Sequence, residues 1–385
     1  MASDRLQTLA AIDPAKLTEI VRKAEASARF EIGAWQVRLL TSQGAINPQG
    51  LFIISGDGQD ENGSRQWSVV LKWIQAGDAP LAPDHIWHWK REYSAMEFGL
   101  ANRLPGPLAA PRCYGVEEVP GGAWFWLEHI VDASPRRWGS AEYAFAAEQL
   151  GRTTGAYLVN GPVLDEPWLG HSHARIWAEG SPPTDEIWAN AHIQTAWPSA
   201  LRGRVQALWD QREQLSAALD HLPRTLGHFD SQRRNLMIRP RQTGEPELVA
   251  VDWAWCGWGP VGGDAAELIG NSMILFEYDP RAAAALDEVV FSAYLKGLRL
   301  ERWAGEVDSV RLAYTASIAL FCALSAPAFT VMSTRPELQD WVTEHSGLDM
   351  AGAVSHYAAL AAFAVERGEE ALRLIKHLGE ISSTN

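Results

Sequence analysis

Residues 228–235 read His-Phe-Asp-Ser-Gln-Arg-Arg-Asn, and seventeen positions after Asn235 an apolar run, Leu248-Val-Ala-Val251, ends in Asp252. His228, Asp230 and Asn235 stand at positions 1, 3 and 8 of an H-x-D-x-x-x-x-N loop, with a second acid beyond a hairpin. Those residue types at that spacing suit phosphoryl transfer to a hydroxyl. One carboxylate, Asp230, has to meet the acceptor hydroxyl. An amide, Asn235, and another carboxylate, Asp252, have to hold Mg²⁺ against nucleotide phosphates. Leu236-Met-Ile238, a turn from Pro240 to Pro246 and the returning strand bring Asn235 and Asp252 together.

Lys72 is a second anchor. It ends the β-branched run Val69-Val-Leu-Lys72 and is one of only six lysines, so its place on a strand carries information. Strand alternation turns it away from Leu71. A point ammonium there suits phosphate oxygens, and Glu92 on the following helix is the acid that would hold it. The bland alternative is a surface lysine beside an unrelated glutamate. The segment Ser42–Gly50, with Gly44 and Gly50, precedes a strand and would offer backbone N–H groups to phosphates. It fits neither G-x-G-x-x-G nor G-x-x-x-x-G-K-[ST], and an ordinary hairpin is the competing reading.

The elements that position these residues follow from periodicity. Pro14–Ala28 has helical spacing and reads as an N-terminal appendage. Strands are expected at Gln36–Leu40, Leu51–Ile54 and Trp67–Ile74, with Gly56–Arg65 a solvated loop whose acids do not match calcium-loop spacing. A helix over Ile86–Arg103, a short strand at Pro111–Gly115, a turn at Gly121-Gly122 and a strand over Ala123–Ile130 complete a sheet-rich lobe. Beyond Asp132 the pattern is mainly helical apart from the catalytic hairpin. The fold class is therefore α+β, with a small antiparallel-sheet lobe and a larger, mainly helical lobe. The expected division is a helical extension over 1–30, a nucleotide-binding lobe over 31–130, and a helical lobe over 131–385 holding the hairpin 226–253 and the substrate region.

Bulk properties bound the rest. A chain of 385 residues exceeds one typical core. A formal charge of −14 argues against a nucleic-acid surface and is compatible with a cationic substrate. The three cysteines form no C-x-x-C pair, so neither a disulfide framework nor a zinc site is indicated. His85/His88 and His171/His173 lack a third partner at ligand spacing. The start, Met-Ala-Ser-Asp-Arg-Leu-Gln, lacks a basic-then-apolar leader, and a cytoplasmic location is expected. Between Arg311 and Arg335 no residue is charged, yet Tyr314, Ser317, Pro327 and Thr330 punctuate the stretch. It reads as a buried helix rather than a membrane span.

The order Val-Val-Leu-Lys72, Arg-Glu92, Trp-Leu-Glu-His-Ile130, His-x-Asp230-x4-Asn235 and Val-Asp252 resembles the aminoglycoside phosphotransferase and choline kinase group of protein-kinase-like small-molecule kinases. The resemblance covers roughly residues 35–270, and Gly259-Pro-Val-Gly-Gly-Asp264 matches the G-P-x-x-x-D segment behind the metal aspartate. It implies a bilobal protein-kinase-like fold, ATP and Mg²⁺, and a hydroxylated small-molecule acceptor such as an aminoglycoside, amino sugar or choline-like alcohol. Asp230 would orient the hydroxyl or accept its proton, and Asn235 and Asp252 would bind Mg²⁺. Lys72, held by Glu92, would contact phosphates, and the backbone of Glu128 and Ile130 would meet the adenine edge. Asp264 and His228 would be scaffold.

Departures from the family pattern are Phe229 in place of a glycine and Gln232 in place of a lysine or histidine. Arg233 or Arg234 could compensate at the γ-phosphate, or both could be structural. The eighteen tryptophans allow an aromatic wall beside Asp252, formed by Trp253, Trp255 and Trp258, or in the insert, at Trp177, Trp188 and Trp197. Ordinary core packing is the alternative for each. The rival function is a catalytically weak pseudokinase that binds nucleotide or acts as a scaffold.

Overall fold

The computed structural model describes residues 2–40, 50–162, 164–170, 173–180, 182–241 and 244–384. It forms two compact units. One comprises Met1–Arg103 and Ala109–Asp132; the other comprises Leu104–Leu108 and Ala133–Asn385.

The first unit is built on a five-stranded antiparallel sheet of order β1-β2-β3-β5-β4, with β1 at Glu31–Leu40, β2 at Gly50–Asp60, β3 at Gly63–Gln75, β4 at Cys113–Val119 and β5 at Gly122–Glu128. Leu71 pairs with Phe52 and Trp126, while Lys72 pairs with Leu51 and Phe125. Directly paired residues share a face, so the two sides of the sheet separate cleanly. Trp67, Val69, Leu71, Phe52, Ile54 and Trp126 bury one side against Leu9, Ile12, Leu17, Ile20 and Val21. Those five come from α1 (Ala2–Ala10), α2 (Pro14–Ala24) and the turn joining them. The N-terminal helices, expected as an appendage, thus share the sheet's core. Asp13 caps α2 by accepting the Ala15 N–H at 2.9 Å, Pro14 opens it, and Leu17, Ile20 and Val21 lie at i, i+3 and i+4.

Two element boundaries differ from the sequence expectation. The Gly56–Arg65 loop is mostly strand, because β2 and β3 run on to an Asp60↔Gly63 pair with only Glu61 and Asn62 between. Main-chain pairing does not require apolar side chains, so the polar run reads as loop while laddering as strand. Two of its acids are taken by arginine: Arg65 grips both oxygens of Asp60 at 2.9 Å, reaching Glu25 as well at 2.6 Å, and Arg29 pairs with Glu61 at 2.9 Å. Over Ile86–Arg103 the α-helix is only α3, Arg91–Phe98, because Gly99 adopts a left-handed cap (φ 69°) and Leu100–Asn102 form a 3₁₀ turn. Tyr93 of α3 meets Phe125 edge to face at 6.2 Å, which places α3 on the Lys72 side of the sheet.

The second unit is mainly helical: α4 (Ser140–Asn160), α5 (His173–Ala178), α6 (Asp185–Ala189), α7 (Ala191–Ala196), α8 (Ser199–Asp210), α9 (Arg212–Asp220), α10 (Gly263–Ile274), α11 (Ala283–Leu300), α12 (Val307–Ile318), α13 (Leu324–Ser333), α14 (Pro336–Ser346) and α15 (Met350–Thr384). Leu104–Leu108, inside the expected 31–130 lobe, belongs here. Leu108 is buried and its N–H donates to Thr153 Oγ1 at 3.1 Å. Two short ribbons carry the loops of interest, β6 (Arg224–Gly227) with β9 (Gly257–Pro260), and β7 (Leu236–Arg239) with β8 (Glu247–Ala250). The charge-free stretch lies in α12 and α13, joined by a π-helical turn, Ala319–Ala323. That turn ends four residues before Pro327, which has no N–H for the Ala323 carbonyl. The span Val307–Ser333 is long and apolar enough to cross a membrane, and 67% of its most apolar window is buried inside the fold. Its arginine, Arg311, pairs with Asp287 at 3.1 Å and with Glu370 at 2.6 Å.

Candidate active site

In the first unit, β3 delivers Lys72 and α3 delivers Glu92, and the two meet as an ion pair with Nζ–Oε2 of 2.6 Å. Both are largely withdrawn from solvent, their side chains being 14% and 3% exposed. The pair fixes the ammonium in place on the strand. At the end of β5 the Glu128 N–H donates to the Arg112 carbonyl at 2.9 Å, so a base contact from this residue would use its carbonyl. Ile130 follows, buried. Between them, His129 is tied to Ser68 Oγ at 2.9 Å. Burial and the nearby Arg38 charge push its imidazole below the ordinary histidine range. Gly44 lies outside the described residues.

In the second unit the loop 228–235 leaves β6 at Gly227. Phe229 takes a left-handed conformation (φ 52°), which side chains rarely adopt. What holds it is Asp264, in the first turn of α10. Its carboxylate accepts from the Phe229 N–H at 2.7 Å, the His228 N–H at 3.3 Å and the Ser231 hydroxyl at 3.0 Å. The Phe229 ring lies over Gly227, Gly259 and Gly263, where an added Cβ would collide with it. A bulky residue at this place therefore depends on glycines from the two strands and the helix around it.

His228 works as a staple. Its Nδ1 accepts the Asp230 N–H at 3.3 Å, so Nε2 carries the proton and donates to the Val251 carbonyl at 2.9 Å. Trp253 meets the ring edge to face at 4.8 Å.

Asp230 is oriented through both oxygens. Gln232 Nε2 donates to Oδ1 at 2.9 Å, and Asn235 Nδ2 donates to Oδ2 at 2.7 Å and to the Asp230 carbonyl at 3.0 Å. The amide nitrogen of Asn235 is thereby committed to Asp230. Val251 N–H donates to the Asn235 carbonyl at 2.8 Å, which brings Asp252 beside Asn235 across the start of the β7–β8 ribbon. Asp252 itself has φ 62° and ψ 74°.

The two arginines of the loop bind protein. Arg233 donates to the Pro135 carbonyl at 3.1 Å and lies 5.0 Å above the Trp138 ring. Arg234 Nε donates to Glu277 Oε1 at 2.8 Å. The sequence left open whether they meet phosphate; these contacts favour the structural role.

The tryptophans divide. Trp253 and Trp197 are buried core residues, while Trp177 and Trp255 are half-buried and stack with parallel planes at 5.9 Å. His85 and His88 bond locally, to the Trp87 N–H and the Leu81 carbonyl, each at 3.2 Å.

One group behind the loop was missed. Glu267 on α10 is 5% exposed and accepts from Asn271 Nδ2 at 2.9 Å. Burial, then the charges of Asp230 and Asp264, push its carboxyl well above the usual range. Asp264-x-x-Glu267 at helical spacing already places both acids on one face, a signal the sequence did contain. Glu277, Trp138 and Gly227 carry no such signal, whereas Gly259 and Gly263 lie in the Gly259-Pro-Val-Gly-Gly-Asp264 segment.

The fold is that of a protein-kinase-like small-molecule kinase. It is similar to a microcompartment-associated aminopropanol kinase, with 13% identity, 91% of this chain and 98% of that one covered, and a TM-score of 0.53. An amicoumacin kinase solved with AMP-PNP and Ca²⁺ matches at 16% identity over 87% of this chain and 88% of that one, TM-score 0.47. An aminoglycoside phosphotransferase from Alicyclobacillus acidocaldarius matches at 14% identity over 88% and 93%, TM-score 0.48. No curated protein matches the chain. The family model described as the phosphotransferase enzyme family matches residues 90–303, a span that includes Glu92, Asp230, Asn235, Asp252 and Asp264. With more than half its length matched, the chain belongs to the phosphotransferase enzyme family.

Proposed function

We propose that the protein transfers the γ-phosphoryl group of ATP, with Mg²⁺, to a hydroxyl of a small molecule such as an amino sugar, aminoglycoside or choline-like alcohol. The observation that carries this reading is the double anchoring of Asp230 by Gln232 and Asn235. A carboxylate fixed through both oxygens retains lone pairs, so it can align an acceptor hydroxyl and take its proton.

The residues fit the metal. The Asn235 amide oxygen and the Asp252 carboxylate are hard donors, and a pair of them suits Mg²⁺, which keeps other positions for water and phosphate. Among the described residues no group of three or more His, Cys, Asp or Glu side chains could hold a metal ion, so the nucleotide would complete this site. Mg-ATP, when bound, supplies the phosphoryl group and a dication that offsets charge on its phosphates. Lys72, braced by Glu92, would bind phosphate oxygens. The Glu128 carbonyl and Ile130 N–H would orient the base. His228 and Asp264 hold the loop's shape and move no proton. Catalysis would be mostly positioning and electrostatics.

Purified protein should consume Mg-ATP when offered a panel of hydroxylated amines and sugars. Asp230→Ala should lower acceptor-dependent turnover by about 10²–10⁴ while nucleotide affinity stays within about twofold. Undiminished turnover in that variant would remove Asp230 from the reaction. One observation favours a second reading, a nucleotide-binding protein with little turnover. Gln232 puts a neutral amide where the family pattern has a lysine or histidine, and Arg233 and Arg234 are engaged with Trp138 and Glu277. Binding of ATP with no transfer to any acceptor would support it.

A further inference from the structure

The 3₁₀ turn Arg233–Asn235 is three residues long and has no side-chain cap, so its geometry is set by what grips its flanks. Two grips are built into the second unit. On one side, Arg233 donates to Pro135 and lies on Trp138, and Trp138 is fixed by its own Nε1 donating to Ser134 Oγ at 3.1 Å. On the other, Arg234 pairs with Glu277 at 2.8 Å, the side chains being 23% and 16% exposed. Glu277 is placed by the exit of α10. Phe276 turns left-handed (φ 60°), and the N–H groups of Glu277 and Tyr278 both reach the Ser272 carbonyl, at 2.8 and 2.9 Å. The two grips are joined behind the turn. Tyr143 meets Trp138 edge to face at 5.4 Å and Tyr278 at 5.8 Å. Contacts therefore close a ring from Arg233 through Trp138, Tyr143 and Tyr278 to the segment carrying Glu277, and back to Arg234.

We propose that this ring, and the Arg234–Glu277 pair in particular, is a positioning clamp for Asn235 that sets how tightly the metal–nucleotide complex is held. The inference rests on the reading of Asn235 as a metal ligand. A partly buried ion pair contributes little net stability compared with an apolar pair of similar size, whereas it fixes direction well. Asn235 follows Arg234 directly. A shift of the turn would move the Asn235 amide oxygen and leave Lys72, in the other unit, untouched. Metal affinity should then change while ATP binding without metal does not.

The test uses the full chain, with Mn²⁺ as probe in the presence of AMP-PNP, read by electron paramagnetic resonance of free Mn²⁺. In the paired variant Arg234→Met with Glu277→Met, which leaves no orphaned charge, the apparent Mn²⁺ dissociation constant should rise about tenfold. The thermal midpoint should stay within a few degrees, and kcat at saturating Mg²⁺ within about threefold. Arg234→Lys, a milder change, should show an intermediate rise even if the paired variant folds poorly. Unchanged Mn²⁺ affinity in Arg234→Lys and in a folded paired variant would overturn the clamp. So would a raised KM for ATP at unchanged metal affinity, since that places the guanidinium on phosphate. Wild-type protein taking up no Mn²⁺ with AMP-PNP would overturn the metal-site reading itself, a result separate from equal uptake by wild type and variants.

Discussion

Glu267 shows how a single buried acid ties the site to stability. Its native carboxyl stays protonated well above the ordinary value near 4.5, because burial and the charges of Asp230 and Asp264 all disfavour ionisation. From about pH 4.5 upward the native state therefore binds one proton more than the unfolded chain, until the raised native value is passed. Within that window stability falls with pH by up to ~1.4 kcal/mol per unit, whereas below it this group has no effect. Glu267→Gln, which mimics the protonated acid and can still accept from Asn271, should remove that slope. Urea denaturation at pH 5 and pH 7 checks it. The loss of stability between the two should be smaller in the variant, and an identical loss would mean that Glu267 ionises normally. Asp230, Asn235 and Asp252 were legible as candidates, because phosphoryl transfer would constrain their spacing. The partners that fix them were less so. Gln232 stood out as a departure from lysine or histidine and is a donor to Asp230; Glu277 lies 43 positions from Arg234 and matches no pattern.

At the scale of elements, the loop after β6 depends on three backbones as much as on its own residues. Phe229 sits at φ 52°, a conformation costing a non-glycine residue about 1–3 kcal/mol, and its ring occupies the space above Gly227, Gly259 and Gly263. Gly259→Ala, on β9, would drive a methyl group into that ring. The expected cost is about 1–3 kcal/mol, with a fall in turnover because the displaced ring adjoins Asp230. Adding Phe229→Leu should recover part of the loss, and a double-mutant cycle on unfolding free energies measures how much. Strictly additive losses would show that ring and glycine do not meet. Periodicity located the strands of the sheet and the β7–β8 hairpin, since both alternate or run apolar. It missed β9, whose four residues Gly-Trp-Gly-Pro look like loop, and it cut β2 and β3 short where they turn polar. It also set the N-terminal helices apart from a core that they help to form.

Across the whole molecule, composition sets a field that individual contacts do not. Forty-seven acids against thirty-three lysines and arginines leave a formal charge of −14. A potential of that sign attracts cationic acceptors and slows anionic ones, and it weakens as salt shortens its reach to about 8 Å at physiological ionic strength. The change of pattern near Asp132 falls where the chain passes from one compact unit to the other, while nothing in the pattern marks Leu104–Leu108 as part of the second. The helical insert before residues 228–235 has no motif to read, and the net charge is compatible with a cationic acceptor without selecting one. If the field guides the acceptor, kcat/KM for a monocationic amino alcohol at saturating Mg-ATP should fall several-fold between about 10 mM and about 300 mM salt. A neutral polyol of similar size should show little change over the same range. Saturating nucleotide removes the opposite effect of salt on anionic ATP from the comparison. Equal salt dependence for both acceptors would assign the effect to the bound nucleotide or to general screening, and the net charge would then be surface composition with no part in acceptor choice.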